Sequence, residues 1–209
     1  IVRHGTGEER WFEGGQVNRE AYESHHCSLE TFRSLPMTSR YISGCAMLIR
    51  RDTANRVGRF DERYFMYCED ADYCLRAARA GFAMEIVEDA VITHKVSQST
   101  GTEPDEATPF RAYHILRSHL LFWRNLLGCS EFHRGYCRSQ LGRWVLSPLY
   151  RTSEGELSEW GAAVVDAFWY YLSGCRHQGS RRSAPRWFRA WMTAKPWMIT
   201  EGMGWRWPA

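Results

Sequence analysis

The chain has 209 residues, 44% hydrophobic and 24% charged, with a formal net charge of +3 at pH 7. That length suits one large domain, or one domain plus an appendage, with a real core. The charge is too small to point to nucleic acid and permits an anionic substrate without demanding one, while no apolar run approaches the roughly 18 residues of a membrane span and no secretory signal peptide opens the sequence.

Seven cysteines are scattered at 27, 45, 68, 74, 129, 137 and 175, with no CxxC pair. They read as buried free thiols in a reducing, cytoplasmic compartment rather than as a disulfide framework or a zinc site. The chain opens "IVRHGTGEERW", without methionine and without an evident first strand, and reads as a piece of a longer protein.

In chain order, "WFEGGQVN" (11–18) suggests a turn between short extended pieces, and 24–40 an exposed loop. "YISGCAMLIRR" predicts a buried strand over 45–50. Asp52 then N-caps a short helix that Gly58 ends. From Asp70 the period turns helical: Ala71, Cys74, Leu75 and Ala78 share one face, and Gly81 closes the helix. Two short strands follow, 83–87 and 91–94, and then the Ser/Thr/Gly/Pro loop 97–109. The remainder is mostly helix. Tyr113, Leu116, Leu120, Trp123 and Leu127 form one stripe closed by Gly128, and Trp160, Val164, Phe168 and Tyr171 form another closed by Gly174. From residue 176 the tail holds seven Lys and Arg, one Glu and five of the ten tryptophans.

The stretch "FMYCEDADYCLR" (65–76) sets Glu69, Asp70 and Asp72 at the mouth of that helix. One reading is capping: an acid there interacts with the macrodipole for about 0.3–2 kcal/mol, and Asp72 pairs with Arg76 at i, i+4. The other is catalysis. Two acids precede the first apolar helical position, they repel, and partial burial would raise at least one pKa, as suits a general base.

The ordered set "YISGCAMLIRRD…VGRFDERYFMYCEDADYCLRAARAGF…VEDAVITHKVSQSTG" closely resembles family 2 glycosyltransferases, especially the rhamnosyltransferase-like branch, over residues 11–127. A lone Glu-Asp pair would be weak; the ordered set is specific. The resemblance implies an α/β fold: residues 1–105 as the acceptor-side half of a GT-A-like sheet domain without its nucleotide-binding half, then a helical region over 106–209. It implies Asp70 as the base that deprotonates the acceptor hydroxyl, with Glu69, Gly44 and Asp72 around the acceptor. It implies His94 as a ligand of a divalent metal (Mn²⁺ or Mg²⁺), and a diphosphate loop with Lys95, Ser97, Ser99 and Thr100. "DAD" at 70–72 spells the superfamily's metal-binding DxD but belongs to the acidic helix start, and residues 1–64 hold no separate DxD.

The implied reaction moves a sugar such as rhamnose, with inversion, from a nucleotide-diphosphate donor to a glycan or lipid-linked acceptor in surface polysaccharide synthesis. A single displacement needs one base, and developing leaving-group charge suits a Lewis acid. The setting would be cytoplasmic, at the inner face of the membrane if the Trp/Arg-rich tail makes peripheral contact. The tail suits packing equally, and Pro185 and Pro196 interrupt any long amphipathic helix there. Two rivals stand beside this reading. One is a non-catalytic glycan-binding or assembly module; the other is a hydrolase using Glu69 and Asp70, whose adjacent carboxylates diverge too much to flank one bond.

Overall fold

The computed structural model describes residues 1–4, 10–95, 106–173 and 183–194. The chain divides into two compact units, Ile1–Asp61 with Cys68–Pro104, and Glu62–Tyr67 with Asp105–Ala209.

The first unit is mixed α/β with two small sheets. In one, β1 (Val2–His4) pairs antiparallel with β2 (Arg10–Phe12) and parallel with β6 (Ile92–His94). In the other, β3 (Gly15–Asn18) lies between β4 (Glu23–His26) and β5 (Arg40–Tyr41), antiparallel to both. The chain therefore does begin with a strand, short and bonded to a partner some 90 residues on in sequence, which no local pattern reveals. Nor is 24–40 an exposed loop. It holds β4 and α1 (Leu29–Ser34), whose Ser28 Oγ caps the Thr31 N–H and whose Leu29 and Phe32 are buried.

The paired glycines between β2 and β3 mark close approach. A Cβ on Gly14 would stand 2.7 Å from Phe32, and one on Gly15 2.2 Å from the Tyr41 ring. Gly15→Ala is expected to displace Tyr41 and to cost about 1–3 kcal/mol as an overpacked site, read as a lower urea midpoint at unchanged slope.

α2 (Arg51–Val57) begins one residue before Asp52, so Asp52 lies inside the first turn, accepting from the Thr53 N–H and the Arg50 guanidinium. Gly58 ends α2 at φ 85°, as the sequence predicts. α3 (Glu69–Arg79) closes the same way, with the Phe82 N–H bonded to the Ala77 carbonyl and Gly81 at φ 88°. Its buried surface is broader than the predicted stripe: Tyr73 and Ala77 are buried with Ala71, Cys74 and Leu75, and Ala78 is only half-buried.

The buried strand expected over 45–50 is absent. Gly44–Ala46 forms a 3₁₀ turn, and 47–50 runs extended without ladder partners among the described residues, Leu48 being 99% exposed. Residues 83–87 likewise form no strand. The apolar character of both segments suits strands, but a ladder needs a neighbouring strand in register, and the described residues provide none.

The second unit is helical. α4 (Pro109–Leu127) and α7 (Glu159–Leu172) form its centre and pack against each other. Between them lie α5 (Cys129–Glu131), a π-helical stretch Phe132–Cys137, and α6 (Arg138–Val145). α8 (Arg186–Ala194) follows α7. The predicted stripe on α4 is the core, with Tyr113, Leu116, Leu120 and Trp123 all buried. Large side chains of this kind contribute about 1.5–3 kcal/mol each on full burial. Glu62–Tyr67 joins this unit because α4 holds its backbone: Arg117 Nη2 donates to the Arg63 carbonyl at 2.7 Å and Ser118 Oγ to the Met66 carbonyl at 2.7 Å.

Of the Trp-rich tail, α8 is described. Phe188 and Met192 are buried and Arg189 binds the fully buried Asp166, so this part packs. Gly174, residues 176–182 and residues 195–209 lie outside the described residues. Among the described residues no helix is long and apolar enough to cross a membrane. The six cysteines among the described residues are free; Cys74 and Cys137 are buried, Cys129 is exposed, and Cys27, Cys45 and Cys68 are half-buried, so burial is less general there than expected, and Cys175 lies outside the described residues.

Candidate active site

The acidic helix start is built on an unusual backbone. Tyr67 and Cys68, immediately before Glu69, both adopt left-handed conformations, at φ 67° and 65°. Non-glycine residues in this region carry strain of about 1–3 kcal/mol each, and such strain clusters at functional sites. Cys68 occupies the N-cap of α3 without a side-chain capping bond. The first-turn N–H groups are therefore left to the acids that follow.

Asp70 meets this need and retains capacity. Its Oδ1 accepts from the Ala71 N–H at 2.7 Å, and its Oδ2 accepts from the Gly44 N–H at 3.0 Å. Gly44 thus reaches the site through its backbone, presented by the 3₁₀ turn that replaces the expected strand. A Cβ there would stand 3.6 Å from the Asp70 Cβ, an ordinary contact. A carboxylate offers about four lone-pair positions, so two described bonds leave Asp70 able to accept a further proton donor. Capping and catalysis do not compete here; the cap orients the carboxylate.

Burial pushes the Asp70 carboxyl above its usual range, opposed by the N–H groups of Gly44 and Ala71. Glu69 is also pushed up, by burial and then by the charge of Asp70, and its Oε2 is buried without a hydrogen-bond partner among the described residues. A carboxylate whose folded pKa is raised contributes stability below its unfolded pKa and loses it as pH rises through the folded value. Asp70→Asn is therefore expected to raise Tm by a few degrees at pH 7. The gain should vanish as the pH is lowered through the ordinary carboxylate range, as thermal melts across pH would show.

Asp72 serves differently. It is buried, and its Oδ2 takes the Arg76 Nε at 2.8 Å. Arg76 in turn donates to the Val57 and Arg59 carbonyls at 3.2 Å each and lies 5.1 Å over the Tyr73 ring. The pair clamps the end of α2 to α3.

His94, on β6, is half-buried, its ring 5.1 Å from that of Trp11. Trp11 also packs edge-on to His26 at 4.8 Å, and the His26 Nδ1 lies 3.0 Å from the Trp11 carbonyl. His26 and Asp70 feel each other's charge: Asp70 raises the imidazole pKa against a larger lowering by burial. Sequence reasoning missed His26 because 24–40 reads as a loop, and only the β3–β4 pairing brings "HH" (25–26) beside Trp11. Lys95 is exposed; Ser97, Ser99 and Thr100 lie outside the described residues. Among the described residues no group of three or more His, Cys, Asp or Glu side chains could hold a metal ion. His94 belongs to no such group, so a divalent ion held there, which takes several ligands, would need others from beyond the described residues.

No protein-family model and no solved structure matches the chain. An N-acetylglucosaminyl-diphospho-decaprenol L-rhamnosyltransferase of Mycobacterium tuberculosis is 38% identical over 106 residues, 51% of this chain and 31% of that protein. Rhamnosyltransferase WbbL of Escherichia coli K12 is 47% identical over 47 residues, 22% of this chain and 18% of that protein. The chain is similar to rhamnosyltransferases. The similarity points to a glycosyltransferase, and the chain spans less than a third of the length of the mycobacterial relative.

Proposed function

We propose that this chain carries the acceptor side of an inverting, GT-A-like family 2 glycosyltransferase that transfers rhamnose from a nucleotide-diphosphate donor to a lipid-linked glycan. The observation that carries the reading is the Asp70 carboxylate. It is fixed by two backbone N–H groups at a strained helix start, pushed toward higher pKa, and left with open acceptor positions. The relatives' printed activity supports the sugar and the acceptor class.

In the reaction, an acceptor hydroxyl donates a hydrogen bond to Asp70. As the hydroxyl oxygen attacks the anomeric carbon, its proton passes to the carboxylate. The bond from that carbon to the nucleoside diphosphate breaks from the opposite face and the leaving oxygen takes the electron pair. Glu69, beside Asp70, helps to shape the acceptor site. Lys95, with Ser99 and Thr100, approaches the diphosphate. The test is transfer of labelled rhamnose from nucleotide-diphosphate-rhamnose to an N-acetylglucosaminyl-diphospho-lipid. A product with inverted anomeric configuration is expected; a retained configuration would sink the single-displacement mechanism.

A further inference from the structure

His26 stands on β4 opposite Gly15 of β3, and Gly15 in turn faces Tyr41 of β5. Directly opposed residues of antiparallel strands share one face of the sheet. Three residues past Tyr41, the Gly44 N–H holds the Asp70 carboxylate, and His26 and Asp70 are close enough for their charges to interact. The imidazole is fixed from three directions. Its Nδ1 lies 3.0 Å from the Trp11 carbonyl, and the Trp11 and Phe12 rings stand edge-on to it at 4.8 and 5.0 Å.

A carbonyl only accepts, so in that bond Nδ1 carries the proton, and in the neutral ring the lone pair lies on Nε2. Partial burial among the aromatic rings lowers the imidazole pKa and favours this neutral form. No other hydrogen bond reaches the ring among the described residues, and His26 remains open to solvent. The fold thus orients the side chain and leaves its acceptor nitrogen unused.

Two acceptors therefore share one neighbourhood, the Nε2 lone pair and the open positions of the Asp70 carboxylate. Both seek hydrogen donors. A diphosphate brings acceptors and negative charge and suits neither. An uncharged polyol suits both, because one sugar ring carries several hydroxyls in fixed directions. A site built to bond a hydroxyl also discriminates against the analogue that lacks it.

We infer that His26 is a specificity-determining residue of the acceptor site, its Nε2 accepting a hydrogen bond from a second hydroxyl of the sugar whose first hydroxyl donates to Asp70. The inference rests on the reading of Asp70 as the acceptor's base, and adds the group that selects among the acceptor's hydroxyls.

The experiment titrates the whole 209-residue chain, nitrogen-15-labelled at histidine, with methyl N-acetyl-β-glucosaminide and its 3-, 4- and 6-deoxy analogues, followed by NMR. The His26 signals are those lost in His26→Gln. The Nε2 signal is expected to begin as that of an unprotonated nitrogen and to shift as the sugar saturates the chain. One deoxy analogue should bind about fivefold more weakly than the parent, as the loss of one neutral hydrogen bond implies. His26→Leu should weaken binding of the parent about fivefold and no longer distinguish that analogue, the non-additivity of two groups in contact. His26→Gln, whose carboxamide oxygen can accept in place of Nε2, should restore both affinity and discrimination. An Nε2 signal unmoved at saturation would overturn the inference. So would discrimination among the analogues that is the same in His26→Leu as in the native chain. Binding that Asp70→Ala weakens and neither change at His26 touches would overturn the inference alone and leave the reading of Asp70 standing. A native chain that binds none of these sugars would sink that reading and this inference with it.

Discussion

Asp70→Asn is expected to lower sugar transfer by about 10²–10⁴-fold, the range a positioned general base contributes. The substitution keeps the shape of the side chain. The amide oxygen can still accept one backbone N–H, so the start of α3 stays formed, and removal of a half-buried charge favours the fold at neutral pH. Loss of activity therefore arrives together with a Tm that is unchanged or higher. This split separates the base from a structural cap, whose loss typically costs about 1 kcal/mol. It also separates the transferase from the non-catalytic binding module, which predicts unaltered turnover in the polypeptide that carries the donor site. Asp72→Asn should behave in the opposite way. Its carboxylate anchors Arg76, so the variant loses stability first.

The largest effect on stability is expected at Arg189. The Asp166 carboxylate is fully buried and takes the Arg189 Nη2 at 2.7 and 2.9 Å, the Nε at 3.3 Å and the Ala184 N–H at 2.7 Å. Arg189→Ala leaves that charge inside the helical unit without its guanidinium partner. Breaking a buried pair from one side costs about 3–5 kcal/mol. The Arg189 side chain keeps 32% of its exposure, which favours the low end. For a chain of this size about 3 kcal/mol lowers Tm by roughly 6–12 °C. The paired change Asp166→Leu with Arg189→Met should recover part of the loss, because both charges leave together. Circular dichroism melts of the single and double variants decide it. Equal destabilisation by both would mean that α8 is held by Phe188 and Met192 and not by the ion pair.

Local signals were legible where local physics decides. The glycine stops at 58, 81 and 128, the stripe on α4 and the start of α3 all follow from capping and period. What failed depends on distant partners. The apolar residues at 45–50 and 83–87 foretell strands, but pairing is a property of two segments and local sequence reports only one. β1 escaped for the converse reason, since its partner β6 lies about 90 residues away in sequence. At the site, Glu69 and Asp70 could be found because two acids exceed what one cap needs. The Gly44 N–H, Trp11 and His26 could not, because a turn, a hairpin and an aromatic contact bring them to the same place. The left-handed pair Tyr67–Cys68 leaves no trace in sequence either, as neither is a residue that favours that region.

The measurement that bears most directly on Asp70 is the pH dependence of the transfer rate, in the native protein and in the residual activity of Asp70→Asn. A base works deprotonated, so the rate should climb with pH through its pKa, and burial places that climb above the ordinary aspartate range. The account predicts one such acidic limb in the native protein and none in the variant. The same limb persisting in Asp70→Asn would contradict it and assign the proton to another group.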